Sequence, residues 1–284
     1  MTTDKKICTD MRRNVLQLAF NKGNSGAHIG AGLSMIELLK VIYLDTKRDN
    51  DFFILSKGHG GISYYTVLYE AGLITKEELY SFGQDGGILS THPSKNLKIG
   101  IECSTGSLGM GLSFGIGKAL STKIKGQDNK VYVLMGDGEC NEGSIWEGAM
   151  YAGAHKLTNL IGIVDSNKFQ LDGPTDEVLS CDLEAMWRAS GWHVESIDGN
   201  NCDEIREALK AETFGKPLLI YANTIKGKGI SFMEADNYWH HTRILKDQLD
   251  AALEELEISL LDSSKSLETD IDMTSIFQEV SENK

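Results

Sequence analysis

Two kinds of hydrophobic pattern alternate along the chain. Short unbroken apolar runs, bounded by glycine and polar residues, open FFILSKGHGG and recur at Val131–Met135, Leu160–Val164, Trp192–Ile197 and Pro217–Asn223; they predict strands. Between them, apolar positions at helical spacing predict helices over Met11–Phe20, Leu33–Leu44, Ile62–Ala71, Ser144–His155, Leu183–Ser190 and Asp203–Ala211. The first two of these helices are joined by the glycine-rich loop NKGNSGAHIGAG. The small-residue segment LGMGLSFGIGKALSTK reads as a further helix, and a last one runs from about Leu245 to Leu261. Strands without polar alternation, separated by helices, predict an α/β fold: a mainly parallel sheet with helices on both faces. Residues 1–262 make one domain on this reading, and 263–284 a loosely ordered C-terminal tail. No internal repeat is visible.

The most informative stretch is VYVLMGDGECNEGSIWEGAMYAGAHKLTNLIGIVDSNKFQLDG, from Val131 to Gly173. Two predicted strands each end in oxygen-bearing side chains, Asp137 after the first and Asn167 after the second. In open parallel sheets, ligands sit outside the carboxyl ends of the strands. Asp137 offers a carboxylate, Asn167 an amide oxygen, and the backbone just beyond it a carbonyl. Three oxygens on one side suit magnesium, which keeps its other positions for water and phosphate. Gly136 and Gly138 let the backbone approach an anion, and the Gly138 amide can donate to a phosphate oxygen. Each half alone is an ordinary turn or helix cap; together, in this order, they point to a magnesium-bridged diphosphate.

Composition narrows the class. The 284 residues are 41% hydrophobic and 24% charged, as in ordinary globular proteins. A net charge of −13 argues against a nucleic-acid or anionic-membrane partner. No apolar run has the length of a membrane span, and MTTDKKICTDMRRN lacks a signal-peptide core. The five cysteines are scattered without C-x-x-C, which predicts reduced thiols in a cytoplasm; Cys103 and Cys140 read as small buried residues. Gly109, Gly111, Gly115 and Gly117 mimic a dinucleotide fingerprint but follow no apolar strand, so they read as close helix packing.

Gly136–Gly173 resembles the thiamine-diphosphate motif. In order along the chain, ILSKGHG, THP with the later ECSTGSLGMG, and NTIKGKGISFME with WHH are similar to segments of transketolases, from about residue 10 to 245. The resemblance covers only the N-terminal, diphosphate-binding part of those enzymes, so the chain resembles the N-terminal subunit of a split bacterial transketolase. It implies a thiamine-diphosphate-binding α/β fold and transfer of a two-carbon ketol unit from a ketose to an aldose, phosphorylated or not. It implies thiamine diphosphate and Mg2+ as cofactors, with Ca2+ or Mn2+ as substitutes. The metal ligands would be Asp137, Asn167 and the carbonyl of Phe169, and the Gly138 amide, His59 and His240 would hold the diphosphate. Gly106, Ser107 and Leu108 would lie against the cofactor rings, Leu171 would pack on it, and Gly136 and Glu139 would flank it. His28 and His92 would line the sugar channel and, with His240 and Glu142, carry catalysis. Glu142 and Glu147 would join the acidic cluster at the family's subunit interface, Glu147 on the cofactor side. The glutamate that touches the aminopyrimidine would come from a partner subunit carrying the pyrimidine-binding domain, in a cytoplasmic heterotetramer.

Several assignments have competitors. Glu142 and Glu147 also read as helix N-terminal acids facing the dipole. His241 competes with His240, while His155 and His193 match nothing and read as surface or structural residues. The run Ser25-Gly26-Ala27-His28-Ile29-Gly30 departs from the Ser-Gly-His-Pro-Gly of transketolases and resembles deoxyxylulose-phosphate synthases. The rival readings are such a synthase, the α subunit of a 2-oxoacid dehydrogenase first component, and a non-catalytic thiamine-diphosphate-binding protein.

Overall fold

The structure, a computed structural model, describes residues 3–260. Helix α1 (Thr3–Asn21) leads into α2 (Ile29–Leu33), α3 (Ile36–Lys40) and a π-helical turn at Val41–Thr46. Strand β1 (Phe52–Leu55), helices α4 (Gly61–Glu70), α5 (Lys76–Tyr80) and α6 (Met110–Ile124), strand β2 (Val131–Gly136), helix α7 (Gly143–Ala154) and strand β3 (Leu160–Ser166) follow. Next come a short hairpin, β4 (Phe169–Gln170) with β5 (Gly173–Pro174), and helices α8 (Thr175–Val178) and α9 (Leu183–Ala189). Strand β6 (His193–Asp198), helix α10 (Cys202–Ala208), strand β7 (Leu218–Asn223) and helix α11 (246–260) complete the described chain. The expected C-terminal tail lies outside the described residues.

The main sheet has the order β1-β2-β3-β7-β6, with every pairing parallel. Period-two alternation sorts its side chains onto two cores. Val131, Val133 and Met135 of β2 pack with α6, α7 and α9, while Tyr132 and Leu134 face α1, α3 and α4. Burial on both faces is why β2, β3 and β7 read as continuous apolar runs, whereas the edge strand β6, expected as such a run, has Val194 as its only buried residue. The chain leaves β2 and β3 toward the α7/α9 face, and leaves β1 and β7 toward the α4/α11 face. Where neighbouring loops part in this way, a crevice opens at the carboxyl edge of the sheet.

The structure departs from the sequence expectations at four local points. The helix expected over Leu33–Leu44 is broken, with Met35 at φ −105° between α2 and α3. There α2 is pressed on α4 so closely that a Cβ on Gly32 would lie 2.7 Å from Ser63 Oγ. Ser34 Oγ turns inward to a buried carboxylate, Asp165, at 2.6 Å. Helix α5, unanticipated, begins with a capping box: Glu78 N donates to Thr75 Oγ1 and Thr75 N to Glu78 Oε2. Of the glycine stripe, Gly111 and Gly115 are close-packed, since a Cβ would lie 2.4 Å from Ser56 Oγ and 2.5 Å from Val133 Cγ2. Gly117 faces open space, and Cys103 is half-buried where Cys140 is fully buried.

Candidate active site

A cavity of about 380 Å³ opens at the carboxyl edge of β1, β2 and β3. Its floor is the Gly136–Asp137–Gly138 turn after β2. Asp137 is buried; Gly138 N donates to its Oδ1 at 2.8 Å and Lys168 N to its Oδ2 at 2.7 Å. The Gly138 amide expected to meet a phosphate is thus engaged by the neighbouring carboxylate. No side chain fits at Gly138, where a Cβ would lie 2.7 Å from Gln170 Cβ. From β3, Asn167 enters the same space, its Oδ1 accepting from Phe169 N at 3.1 Å and its Nδ2 reaching Ser34 Oγ at 3.4 Å. Lys168 beside it adopts φ +68°, which bends the backbone around Asp137.

Burial, and then the charge of Asp165, push the Asp137 carboxyl up to about 6, against the two amide hydrogen bonds. Such a group gains most from a cation at hand. Asp137, Asn167 and the Phe169 carbonyl form an oxygen-only set that fits a hard divalent ion. No cluster of three or more His, Cys, Asp or Glu ligands occurs among the described residues, so a cation here would rest on this mixed set.

The histidines gather above the floor. The His28 ring lies 5.4 Å from His59, 5.7 Å from His92, 5.7 Å from His240 and 4.5 Å from His241, centroid to centroid. Burial lowers His28 to about 3 and His240 to about 4, and also holds His59 and His92 below the ordinary imidazole value. Around neutral pH these four rings are therefore uncharged. His28 Nδ1 is buried without a hydrogen-bond partner, a polar atom suited to a ligand. Lys226 Nζ donates to His240 Nδ1 at 3.1 Å, which assigns the ring proton to Nε2.

Of the residues singled out in the sequence, His28, His59, His92, Gly106, Leu108, Gly136, Asp137, Gly138, Glu139, Glu142, Asn167, Phe169, Leu171 and His240 all line this one cavity. Ser107 and Glu147 do not, and both are exposed. Gly106 sits at φ +152°, and its neighbour across the turn is Gly58, where a Cβ would lie 2.8 Å from Gly106 N. Glu139 supports the loops: its buried carboxylate accepts from Ser56 Oγ at 2.5 Å, Gly109 N at 2.8 Å and Gly136 N at 3.1 Å. Glu142 occupies the N-cap position of α7. His193 pairs with Glu195, and His155 lies against Tyr151 away from the cavity.

Sequence reasoning missed two buried lysines. Lys57 forms an ion pair with Asp165, whose carboxylate also accepts from Ser34 and Thr224, and Lys57 Nζ donates to Ala31 O at 3.0 Å. Lys226 donates to Asn237 Oδ1 at 2.5 Å; burial lowers it to about 8. Both stand inside motifs that carry the resemblance, SKGHG and NTIKGKG, so their positions were the available signal.

A parallel α/β sheet with an oxygen-lined turn, neutral imidazoles and buried ammoniums at its carboxyl edge defines a class: domains that hold a phosphorylated cofactor. The chain belongs to the transketolase family, matching over residues 4–283 the family described as transketolase, thiamine diphosphate binding domain. It is 41% identical to the 6-deoxy-6-sulfo-D-fructose transketolase subunit SqwG of a Clostridium species, over 81% of this chain and 88% of that one. It is likewise 41% identical to one subunit of the apulose-4-phosphate transketolase of Actinobacillus succinogenes, over 89% of this chain and 95% of that one. Among solved structures, the transketolase of Campylobacter jejuni superposes with a TM-score of 0.82 at 28% identity, covering 90% of this chain. The chain spans only 43% of that longer protein.

Proposed function

We propose that this chain is the thiamine-diphosphate- and magnesium-holding subunit of a two-chain transketolase, which moves a two-carbon ketol unit from a ketose to an aldose. The observation that carries this reading is the convergence of His28, His59, His92 and His240 over Asp137 and Asn167 in one cavity. Thiamine diphosphate, when bound, would supply a nucleophilic carbon and an electron sink for two-carbon transfer.

The chain's own residues would hold the cofactor and face the sugar. Asp137, Asn167 and the Phe169 carbonyl would hold Mg2+ against the diphosphate. His240, its proton on Nε2, and His59 would donate to phosphate oxygens, with the Lys226 ammonium behind them. Neutral His28 and His92 can both donate to and accept from sugar hydroxyls, which lets them hold a hydroxyl proton as a carbon–carbon bond is cleaved or formed. Gly106 and Leu108 form one wall against the cofactor, and exposed Leu171 a second.

The glutamate that contacts the aminopyrimidine in the family would come from a partner chain with the pyrimidine-binding domain, in a cytoplasmic heterotetramer. That two relatives are named as subunits supports this division. The test is native mass determination on tagged chain recovered from its own cells in magnesium buffer. A complex with a second chain, carrying thiamine diphosphate and active in two-carbon transfer where this chain alone is inactive, is the expected result. A lone chain that takes up no added cofactor would overturn the reading.

A further inference from the structure

The rim of the cavity carries positive charge that no carboxylate among the described residues neutralises. Lys22, just past the end of α1, is half-buried. Its stem runs so close over Gly83 that a Cβ there would lie 3.0 Å from Lys22 Cε. Its ammonium sits 5.1 Å from the centroid of Phe82 and donates to Thr91 Oγ1 at 2.5 Å. Its neighbours Asn21, Asn24, Gln84 and Thr91 are neutral, and Asp85 in the adjoining loop forms no ion pair with it. Among the described residues, no carboxylate pairs with Lys22, His241 or Arg243. Burial pulls the Lys22 ammonium below its ordinary pKa, as expected of a cation without a counter-charge.

The rim is joined to the channel. Thr91 precedes His92, one wall of the cavity. Across from it, Ala27 N donates to Thr242 O at 2.9 Å and Thr242 N to Ala27 O at 3.2 Å, which clamps the 240–243 segment beside His28. Exposed His241 stands on that clamp, 4.5 Å from the His28 ring, and Arg243 reaches Asn24 Oδ1 at 2.9 Å. Lys22 and His241 thus both lie near enough to His28 and His92 to act on their charge, and Arg243 follows two residues after His241. In a chain of net charge −13, an unpaired cationic rim of this kind attracts and holds an anion. A half-desolvated ammonium with one hydroxyl partner keeps donors free for a tetrahedral oxyanion.

We propose that Lys22, assisted by His241 and Arg243, binds the tetrahedral oxyanion at the far end of an anionic sugar substrate, while its carbonyl end lies between His28 and His92. This assignment rests on the thiamine-dependent reading above, and makes the N-terminal subunit itself a determinant of substrate charge.

The test uses the full chain with 13C-labelled histidine, with and without thiamine diphosphate and Mg2+, titrated with inorganic phosphate and with methanesulfonate. The expected result is a saturable shift of the His92 and His241 signals that persists when cofactor fills the cradle. The tighter of the two probes identifies the class of oxyanion. Lys22→Met should weaken this binding about tenfold or more, and Lys22→Arg should keep it within about threefold. Equal affinity in Lys22→Met, binding of neither probe, or shifts that vanish once cofactor is bound would each overturn the proposal. Cofactor binding is read separately by calorimetry, so failure of the thiamine reading shows there and failure of the rim site shows in the histidine signals.

Discussion

Replacing Asp137 with asparagine should change how the stability of the cofactor-free chain depends on pH. Burial raises this carboxyl from 3.8 to about 6, which corresponds to about 3 kcal/mol. The folded chain therefore holds the proton more tightly than the unfolded chain, and ionising Asp137 costs stability. That cost is absent below about pH 4, grows between about pH 4 and 6, and stays constant above. Asparagine does not ionise and escapes it. The variant loses one of the two amide hydrogen bonds, to Gly138 or Lys168, a fixed penalty of about 1 kcal/mol at every pH. Glu139 titrates in both proteins and cancels. Urea unfolding of metal-free protein at about pH 4.5 and 7.5 should therefore show the variant gaining about 2 kcal/mol on the wild type across that interval. At magnesium–thiamine diphosphate about a hundredfold above its dissociation constant, the wild type should gain about 2.7 kcal/mol and the variant almost nothing. A difference between the two proteins that does not change with pH would refute the reasoning, because the carboxyl would then titrate as an ordinary exposed one.

Three further substitutions separate roles within the cavity. His92→Ala should lower turnover of the assembled enzyme by about 10² or more while cofactor affinity by calorimetry stays nearly unchanged; the reverse pattern would move His92 to the diphosphate side. Gly138→Ala places a methyl 2.7 Å from Gln170 Cβ and should destabilise the chain by about 1–3 kcal/mol in urea unfolding, with loss of cofactor binding; a wild-type midpoint would show that the loop yields. Lys226→Met removes the ammonium behind His240 and should weaken thiamine diphosphate at least about tenfold, and unaltered affinity would exclude it from phosphate binding.

The alternation of strands and helices was legible because both faces of β2 and β3 are covered, so their apolar runs are unbroken. The floor of the cavity was legible for a related reason: the strand-end positions of Asp137 and Asn167 put both on one edge of a parallel sheet. What escaped depends on contacts between segments far apart in sequence. The break at Ser34–Met35 follows from Gly32 meeting Ser63 and Ser34 meeting Asp165, and no local spacing encodes either. Hairpin β4–β5 is too short for periodicity to register. Lys57 and Lys226 look like surface lysines in polar loops; their place inside SKGHG and NTIKGKG hinted at a role, and their burial establishes it. The capping box at Thr75 and Glu78, by contrast, stood in the sequence and could have been read.

The buried charges of the crevice differ in how fully the protein satisfies them, and that difference couples the binding of metal and diphosphate. Glu139 accepts three hydrogen bonds, and Asp165 meets Lys57, Ser34 and Thr224. Asp137 has only two backbone amides, and Lys226 only neutral partners. One negative and one positive group are thus left for a ligand to complete, close enough to feel each other's charge. A cation at Asp137 makes the space attractive to a diphosphate, and a diphosphate beside Lys226 and His240 supplies the phosphate oxygens that Asp137 and Asn167 leave missing from a metal's shell. Magnesium alone should therefore bind weakly, as should thiamine diphosphate in a chelator. Each should tighten the other by the same factor, at least about tenfold, because binding linkage is reciprocal. Calorimetric titration of each ligand with and without the other measures both factors, and thiamine diphosphate that binds equally well without a divalent ion would place the diphosphate away from Asp137.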